Sequence, residues 1–284
     1  MSPLTPLDVI FDPVCGDDLP LPDDIRRLYG RLQFPAGGTV PRVIGNFVTT
    51  LDGVVSLGVA GTTDGDAISG SNEHDSMVMG LLRSASDAVI VGAGTMRQSP
   101  NHLWTPEFVF PPLAASYRRL RSALGKSGAP STVIVSAGGP FDFSLPVFTK
   151  KTAPVVVVTT EGGVEKIGEN PVPPGVRVVA AGKGDALPVG SILDAVERAL
   201  PGGRMFLIEG GPRLIGQFFD DGRLDELFLT LSPRLAGRDD RTIRLGLIAG
   251  RTFLPGRIVS GTLRGVRKSG SHVFLRYGFT RGEE

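Results

Sequence analysis

The residues best suited to chemistry in this chain are Phe206-Leu207-Ile208-Glu209-Gly210-Gly211-Pro212-Arg213-Leu214. They read as a short apolar strand, a Gly-Gly turn and a helix with Pro212 in its first turn, where the missing N–H would be an orphan donor in any case. Backbone amides and the positive end of a helix dipole then face one spot, which suits a phosphate. Glu209 falls where the strand stops, the place at which open α/β sheets hold ligands, so an acid there can anchor the polar end of a substrate. The same residues also fit an ordinary strand-turn-helix connection with a solvated glutamate.

A second strand empties into glycines at Asp87-Ala88-Val89-Ile90-Val91 followed by Gly92-Ala93-Gly94-Thr95-Met96-Arg97. Gly92-x-Gly94-x-x-Arg97 lacks the third glycine of a dinucleotide fingerprint, so a standard Rossmann reading fails. Gly125-Lys126-Ser127 is no P-loop, because Leu120 stands where the leading glycine belongs and no strand runs into it. His74, His102 and His272 are far apart with no Glu or Cys at ligand spacing, so no metal is expected. With no Gly-x-Ser-x-Gly elbow and Cys15 in an irregular stretch, no nucleophile is evident. What is left is positioning chemistry: a dinucleotide and a polar substrate sharing one crevice, with the cofactor supplying the reacting atom.

Composition narrows the partners. The 284 residues carry a formal net charge of +1 and advertise no basic surface for nucleic acid. Cys15 is the only cysteine, which excludes an intramolecular disulfide and fits a reducing cytoplasm. The Pro- and Asp-rich start lacks the charged and apolar regions of a signal peptide, and no apolar run approaches the roughly 18 residues of a membrane span. A soluble, cytoplasmic protein handling small molecules is expected, without nucleic acid or membrane as partner.

The elements that must position these residues follow in order. Residues 1 to about 40 hold six prolines, which predicts an irregular extension with one short helix near Asp23 to Arg31, serving as lid, edge cover or dimer contact. Val43 to Val48 is a buried strand ending at Thr49-Thr50-Leu51-Asp52-Gly53, with β character resuming over Val54 to Leu57 and a loop from Gly58 to Gly70. Ser71 or Asn72 caps a helix whose apolar side is Met77, Val78, Leu81 and Leu82, with Arg83 near its end. Pro100 to Pro112 reads as a surface loop carrying His102 and Trp104, and Leu113 to Leu124 as a helix. Strands over Thr132 to Ser136, Val155 to Thr159 and Val176 to Val179 alternate with Pro/Gly loops, the pattern of a largely parallel sheet with crossovers. Ser191 caps the helix Ile192 to Leu200, which leads into the strand Arg204 to Ile208 and the helix Pro212 to Asp221. Leu224 to Leu231 is a strand with Asp225 and Glu226 at its solvated start, and Arg257 to Val266 with His272 to Phe279 forms an antiparallel hairpin at the sheet edge.

Four motifs in order, Thr49-Thr50-Leu51-Asp52-Gly53, Leu81-Leu82-Arg83 with Asp87 to Thr95, Glu209-Gly210-Gly211-Pro212 and Leu224-Asp225-Glu226-Leu227, resemble the pyrimidine reductases of riboflavin biosynthesis. These correspond to the reductase half of the bifunctional riboflavin deaminase-reductase, and the similarity covers about residues 41 to 280. The resemblance implies an α/β, dihydrofolate-reductase-like three-layer sandwich, a reductase domain over 41–284, NADPH as cofactor and a homodimer. It implies reduction of a 5-amino-6-ribosylamino-pyrimidinedione 5′-phosphate to its ribityl form by hydride transfer to an open-chain imine carbon. Other readings remain: a different pterin or dihydrofolate-type substrate, or a non-catalytic nucleotide-binding module.

On this resemblance Glu209 and Arg83 hold the substrate, Arg83 as partner for its phosphate. Thr49, Gly92, Gly94, Thr95 and the turn Gly210, Gly211, Pro212, Arg213 and Leu214 receive the cofactor, with Ser136 near its adenosine end. Glu209 and Asp52 are the catalytic candidates, although Asp52 also suits a strand kink and pocket wall, Arg83 a helix C-terminal charge and Thr95 a helix cap. Gln98-Ser99-Pro100 stands where well-studied members carry paired acids before a proline, and no arginine follows in 101–105. That leaves open a cofactor contact and a second substrate contact, with His102 the candidate to stand in. The His-x-Glu and Pro-Cys-x-x-Cys motifs of the deaminase half do not occur, so deamination by that zinc chemistry is excluded.

Overall fold

A single sheet of ten strands organises the chain, in the order β1-β11-β12-β10-β4-β9-β5-β6-β7-β8. Its strands are β1 (Asp8–Phe11), β4 (Arg42–Thr49), β5 (Ala88–Gly92), β6 (Ser131–Val135), β7 (Val155–Thr159), β8 (Val176–Ala180), β9 (Met205–Ile208), β10 (Glu226–Leu231), β11 (Thr262–Ser269) and β12 (His272–Gly278). The computed structural model describes residues 4–35, 41–59, 64–138, 141–168, 171–184, 186–239 and 241–280. Every pairing from β10 across to β8 is parallel, and β10–β12, β12–β11 and β11–β1 are antiparallel. A small ribbon of β2 (Asp17–Asp18) and β3 (Gln33–Phe34) stands apart.

Helices cover both faces, because successive residues of the central strands point opposite ways. Val89 and Val91 of β5 and Leu207 of β9 enter one core, whereas Ala88, Ile90, Phe206 and Ile208 enter the other. The first core takes α1 (Asp23–Tyr29), α3 (Glu73–Ala85) and α6 (Ala114–Ala123), and the second takes α9 (Val189–Ala199) and α10 (Pro212–Asp220). Three layers result, as the alternation of strands and helices predicts. Shorter helices complete the chain: α2 (Asp64–Ser69), α4 (Ala93–Gln98), α5 (Pro106–Val109), α7 (Pro146–Thr149) and α8 (Glu161–Gly168). Among the described residues no helix is long and apolar enough to cross a membrane.

Several local expectations change. The stretch 1–40 is not irregular throughout: β1 lies along β11, and Leu7, Leu21, Ile25 and Leu28 are buried in the first core. The edge strand on that side is therefore β1, with the hairpin one and two places in. Residues 1–3 and 36–40 of that stretch, and 60–63 of the loop at 58–70, lie outside the described residues. That loop contains α2, and Val54 to Leu57 does not continue as a strand: only Ser56 makes a bridge, to Leu245. Asn72, not Ser71, caps α3, its side chain accepting from the Asp75 amide at 3.0 Å. Pro188 rather than Ser191 precedes the first turn of α9.

Asp225 and Glu226 are not solvated. Asp225 accepts from the Val43 amide at 2.7 Å, and Glu226, 3 % exposed, sits between Arg42 at 3.2 Å and Arg276 at 2.6 Å. A buried carboxylate needs such partners, and two guanidiniums supply them across β4, β10 and β12. This triad ties together three neighbouring strands, of which β4 runs on to the site.

Candidate active site

The carboxyl ends of β4, β5 and β9 meet at one place, and two adjoining hollows open there. Parallel strands align these ends, and β9 lies between β4 and β5, which brings the turns before α4 and α10 side by side. The Glu209 amide donates to Ile90 O at 3.1 Å, extending the pairing one residue past β9. Gly211 N–H donates to Thr95 Oγ1 at 2.9 Å, tying the start of α10 to the first turn of α4. A Cβ on Gly210 would lie 2.4 Å from the Gly92 nitrogen, so only glycine lets the two turns approach this closely.

The first hollow is a cavity of about 140 Å³ bordered by Asn46, Ser56, Asp64, Asp75, Arg83, His102, Trp104 and Glu209, among others. Its centrepiece is a buried ion pair between groups 126 residues apart. Arg83 Nε donates to both Glu209 oxygens at 3.2 and 3.0 Å, and Nη2 donates to Oε2 at 2.8 Å. Nη1 donates to Leu103 O and Thr105 O, at 3.3 and 3.1 Å, and the second Nη2 proton goes to His102 Nε2 at 2.9 Å. All five N–H donors of the guanidinium are thus taken, and the side chain is 1 % exposed. The expectation that Arg83 offers a free fork to a phosphate gives way to a different role: it holds Glu209, His102 and the 103–105 backbone in place.

His102 accepts from Arg83 through Nε2, which assigns its proton to Nδ1. Burial, then the Arg83 charge, pushes its pKa down to about 3, so the ring is neutral at physiological pH. Trp104 and Phe108 pack edge-on against it, with centroids at 5.1 and 4.9 Å. Below the ordinary histidine value of 6.5 the unfolded chain takes up a proton that folded His102 refuses. The His102 contribution to stability is therefore full above about pH 6.5 and declines as pH falls toward 3. Urea unfolding of the parent and His102→Gln at pH 7 and pH 5 checks this: the stability of the parent relative to the variant is expected to fall between pH 7 and pH 5.

Two acids that sequence reasoning passed over also border this cavity. Asp75, 5 % exposed, is hydrogen-bonded to the Thr230 side chain, and burial pushes its pKa up to about 6, with Glu209 and Asp66 adding to the rise. Asp64 accepts from Ser56 Oγ at 2.8 Å through Oδ2, while its buried Oδ1 has no partner among the described residues. The signal for Asp75 was its spacing: Asp75, Met79 and Arg83 recur every four residues along one face of α3 and all three border the cavity.

The second hollow is a groove of about 970 Å³ bordered by Gly92, Gly94, Thr95, Ser136, Gly211, Pro212, Arg213 and Leu214, and reaching Val189 and Arg251. Ser56, Thr95, Gln98, Gly211 and Pro212 border both hollows and form their junction. A Cβ on Gly92 or Gly94 would meet no protein atom within 4 Å, so these glycines are not demanded by packing; they leave the groove floor bare. Of the remaining candidates, Thr49 is buried with its hydroxyl donating to Thr50 O, and Gly210 lies beneath the turn; neither borders a hollow. Asp52 is also outside both. Its carboxylate accepts from Thr50 Oγ1 at 2.6 Å and from the Ala236 and Gly237 amides at 3.0 and 2.8 Å, and these bonds, that of Thr50 foremost, push its pKa down to about 2. It fastens the 236–237 loop. Among the described residues no group of three or more His, Cys, Asp or Glu converges as a metal set would.

Comparison with known proteins places this arrangement. The chain is 26% identical over 204 residues to the 2,5-diamino-6-ribosylamino-4(3H)-pyrimidinone 5′-phosphate reductase of Archaeoglobus fulgidus, a match covering 72% of this chain and 85% of that one. Its fold is similar to that of a pyrimidine reductase-like protein from Corynebacterium diphtheriae, with a TM-score of 0.63, 24% identity, and coverage of 85% and 93% of the two chains. It is likewise similar to the riboflavin biosynthesis reductase of Saccharomyces cerevisiae, with a TM-score of 0.58, 18% identity, and coverage of 86% and 94%. Residues 41–272 match the model of the RibD C-terminal domain, well over half the chain. The chain belongs to the RibD C-terminal domain family.

Proposed function

We propose that this protein is an NADPH-dependent reductase that converts the ribosyl side chain of a 5-amino-6-ribosylaminopyrimidine 5′-phosphate to a ribityl chain. The observation that carries the reading is the junction at Thr95, Gly211 and Pro212. There a bare-floored groove large enough for a dinucleotide opens onto a smaller, largely apolar cavity in which Arg83, Glu209, Asp75 and Asp64 are the charged groups.

The residues of the groove fit the cofactor. The unfilled space above Gly92 and Gly94, and the starts of α4 and α10, make room and partial positive charge for a pyrophosphate. Gly92, Gly94, Thr95 and Gly211 to Leu214 would hold it, with Ser136 toward its far end. Bound there, the reduced nicotinamide supplies a hydride to a carbon held in the cavity. The unpartnered Asp64 Oδ1 and the amide of Asn46 receive polar edges of the substrate, and Glu209, fixed by three bonds from Arg83, anchors its ribosyl hydroxyls. Buried Trp104 and half-buried His102 line the cavity and keep water from the reacting atoms.

The test is NADPH oxidation with the deaminated and the 2,5-diamino pyrimidine phosphates in parallel, and with dihydrofolate as comparator. Turnover of a pyrimidine phosphate with product mass two units above substrate, about two hydrogens by the stoichiometry of hydride plus proton, is the expected result. Turnover of dihydrofolate alone would replace the substrate, and tight NADPH binding without any turnover would reject the enzyme reading.

A further inference from the structure

Reducing an imine carbon requires a proton as well as a hydride, and the three acids that border the cavity, Glu209, Asp64 and Asp75, are not equivalent. Glu209 accepts three bonds from Arg83, so its oxygens are committed as acceptors. Asp64 accepts from Ser56 and keeps a buried oxygen unpartnered, the state of a group waiting for a donor. Asp75 differs from both. It stands in the first turn of α3 with no cation paired to it among the described ion pairs, 5 % exposed, on the wall shared with Met79 and Arg83, and is hydrogen-bonded to Thr230 of β10.

We propose that Asp75 is the acid that protonates the nitrogen attached to C1′ of the substrate when that carbon is reduced. The inference rests on the reductase reading given above. In the step, the Asp75 O–H bond breaks and an N–H bond forms, while the C1′=N π pair moves onto nitrogen. The carbon gains hydride and is reduced, the nicotinamide is oxidised, and the Asp75 carboxylate left behind is reprotonated from solvent. One proton and one hydride are consumed for each ribityl product.

The surroundings keep a proton available on this side chain. Burial disfavours its ionised form and, against the opposing hydrogen bond from Thr230, lifts its pKa to about 6, with the negative charges of Glu209 at the end of β9 and Asp66 in α2 adding to the rise. Arg83, two turns along the same helix, has every donor taken by other groups, Asp64 is tied to Ser56, and His102, bonded to Arg83, is neutral. A substrate filling the cavity excludes further water and acts in the same direction as burial. An acid with a pKa near the working pH is what general acid catalysis favours.

Asp75→Asn and Asp75→Glu, beside the parent enzyme, test the proposal. Asn is neutral and nearly the same size, so it retains the fold and cannot donate an acidic proton. The parent kcat is expected to be high at low pH and to fall as pH rises through the Asp75 value. Asp75→Asn is expected to lower kcat by about 100-fold, within the range ascribed to a positioned general acid, and to abolish that fall. KM and NADPH affinity, set by other residues, stay within a few-fold. Asp75→Glu restores part of the rate with a shifted profile. Carbon-13 NMR of the labelled aspartates, following the side-chain carboxyl signal missing from Asp75→Asn, is expected to show the parent Asp75 titrating well above 4.

A parent that turns over while Asp75→Asn keeps its kcat and pH profile overturns the proton-donor role and leaves the reductase reading standing. An Asp75 carboxyl that titrates near 4 overturns it too. A parent with no turnover on any pyrimidine phosphate fails at the earlier step, and the two failures are thereby distinct.

Discussion

Arg83→Met is expected to lower the free energy of unfolding by about 3–5 kcal/mol, the range for removing one partner of a buried ion pair. The methionine fills most of the volume but withdraws five donors at once. Glu209 loses its cation, and Leu103 O, Thr105 O and His102 Nε2 are left facing a dry space. Lysine does not replace arginine here, because a single ammonium cannot span a carboxylate, a ring nitrogen and two carbonyls lying in different directions. Urea unfolding measures the loss, and a change below about 1 kcal/mol, the scale of an exposed pair, would show that the pair is not organising the cavity. Adding Glu209→Gln to Arg83→Met is expected to return part of the stability, since the amide no longer needs a cation; the double-mutant cycle isolates that coupling. Turnover should fall at least about 100-fold in both, while NADPH binding in the adjoining groove changes little.

Gly94→Val separates the groove from the cavity in the opposite sense. The added side chain meets no protein atom near its Cβ, so it projects into the space proposed for the dinucleotide. The dissociation constant for NADPH is expected to rise on the order of 100-fold, about 2.7 kcal/mol at 1.4 kcal/mol per tenfold. The thermal midpoint should move by only a few degrees, as for a substitution costing about 1 kcal/mol or less. Calorimetric titration with NADPH checks the first figure and a melting curve the second. Unchanged affinity in a well-folded variant would mean that the cofactor lies elsewhere, and the reading of the groove would have to be abandoned.

The two strand-to-glycine turns were legible in the sequence because their signal is local: an apolar run, then glycines, then a helix start, at 88–95 and again at 206–214. The parallel sheet followed from the same alternation. Glu209 was legible from its place at the end of a strand and Arg83 through the resemblance, but their direct bond was not, since nothing local links residues so far apart along the chain. Asp75 and Glu226 were missed for one shared reason. Each sits at the start of an element, where an acid ordinarily faces water, and each is buried by packing from strands distant in sequence. The short strand β1 was hidden by the prolines around it and by its exposed pattern, for it makes its sheet contact on one side only. Asp52 resembled a pocket acid because it follows a strand end, but its carboxylate turns toward the 236–237 backbone.

The place of β9 in the sheet has a consequence for how the molecule loosens when warmed. Its backbone is bonded on both flanks, to β4 and to β5, whereas β1 is bonded on one and shows Val9, Ile10 and Phe11 to water. Fraying therefore begins at the margins, β1 and β8, and the anchorage of Glu209 gives way only when the centre of the sheet does. Local breathing at the rim leaves the carboxylate standing where it was.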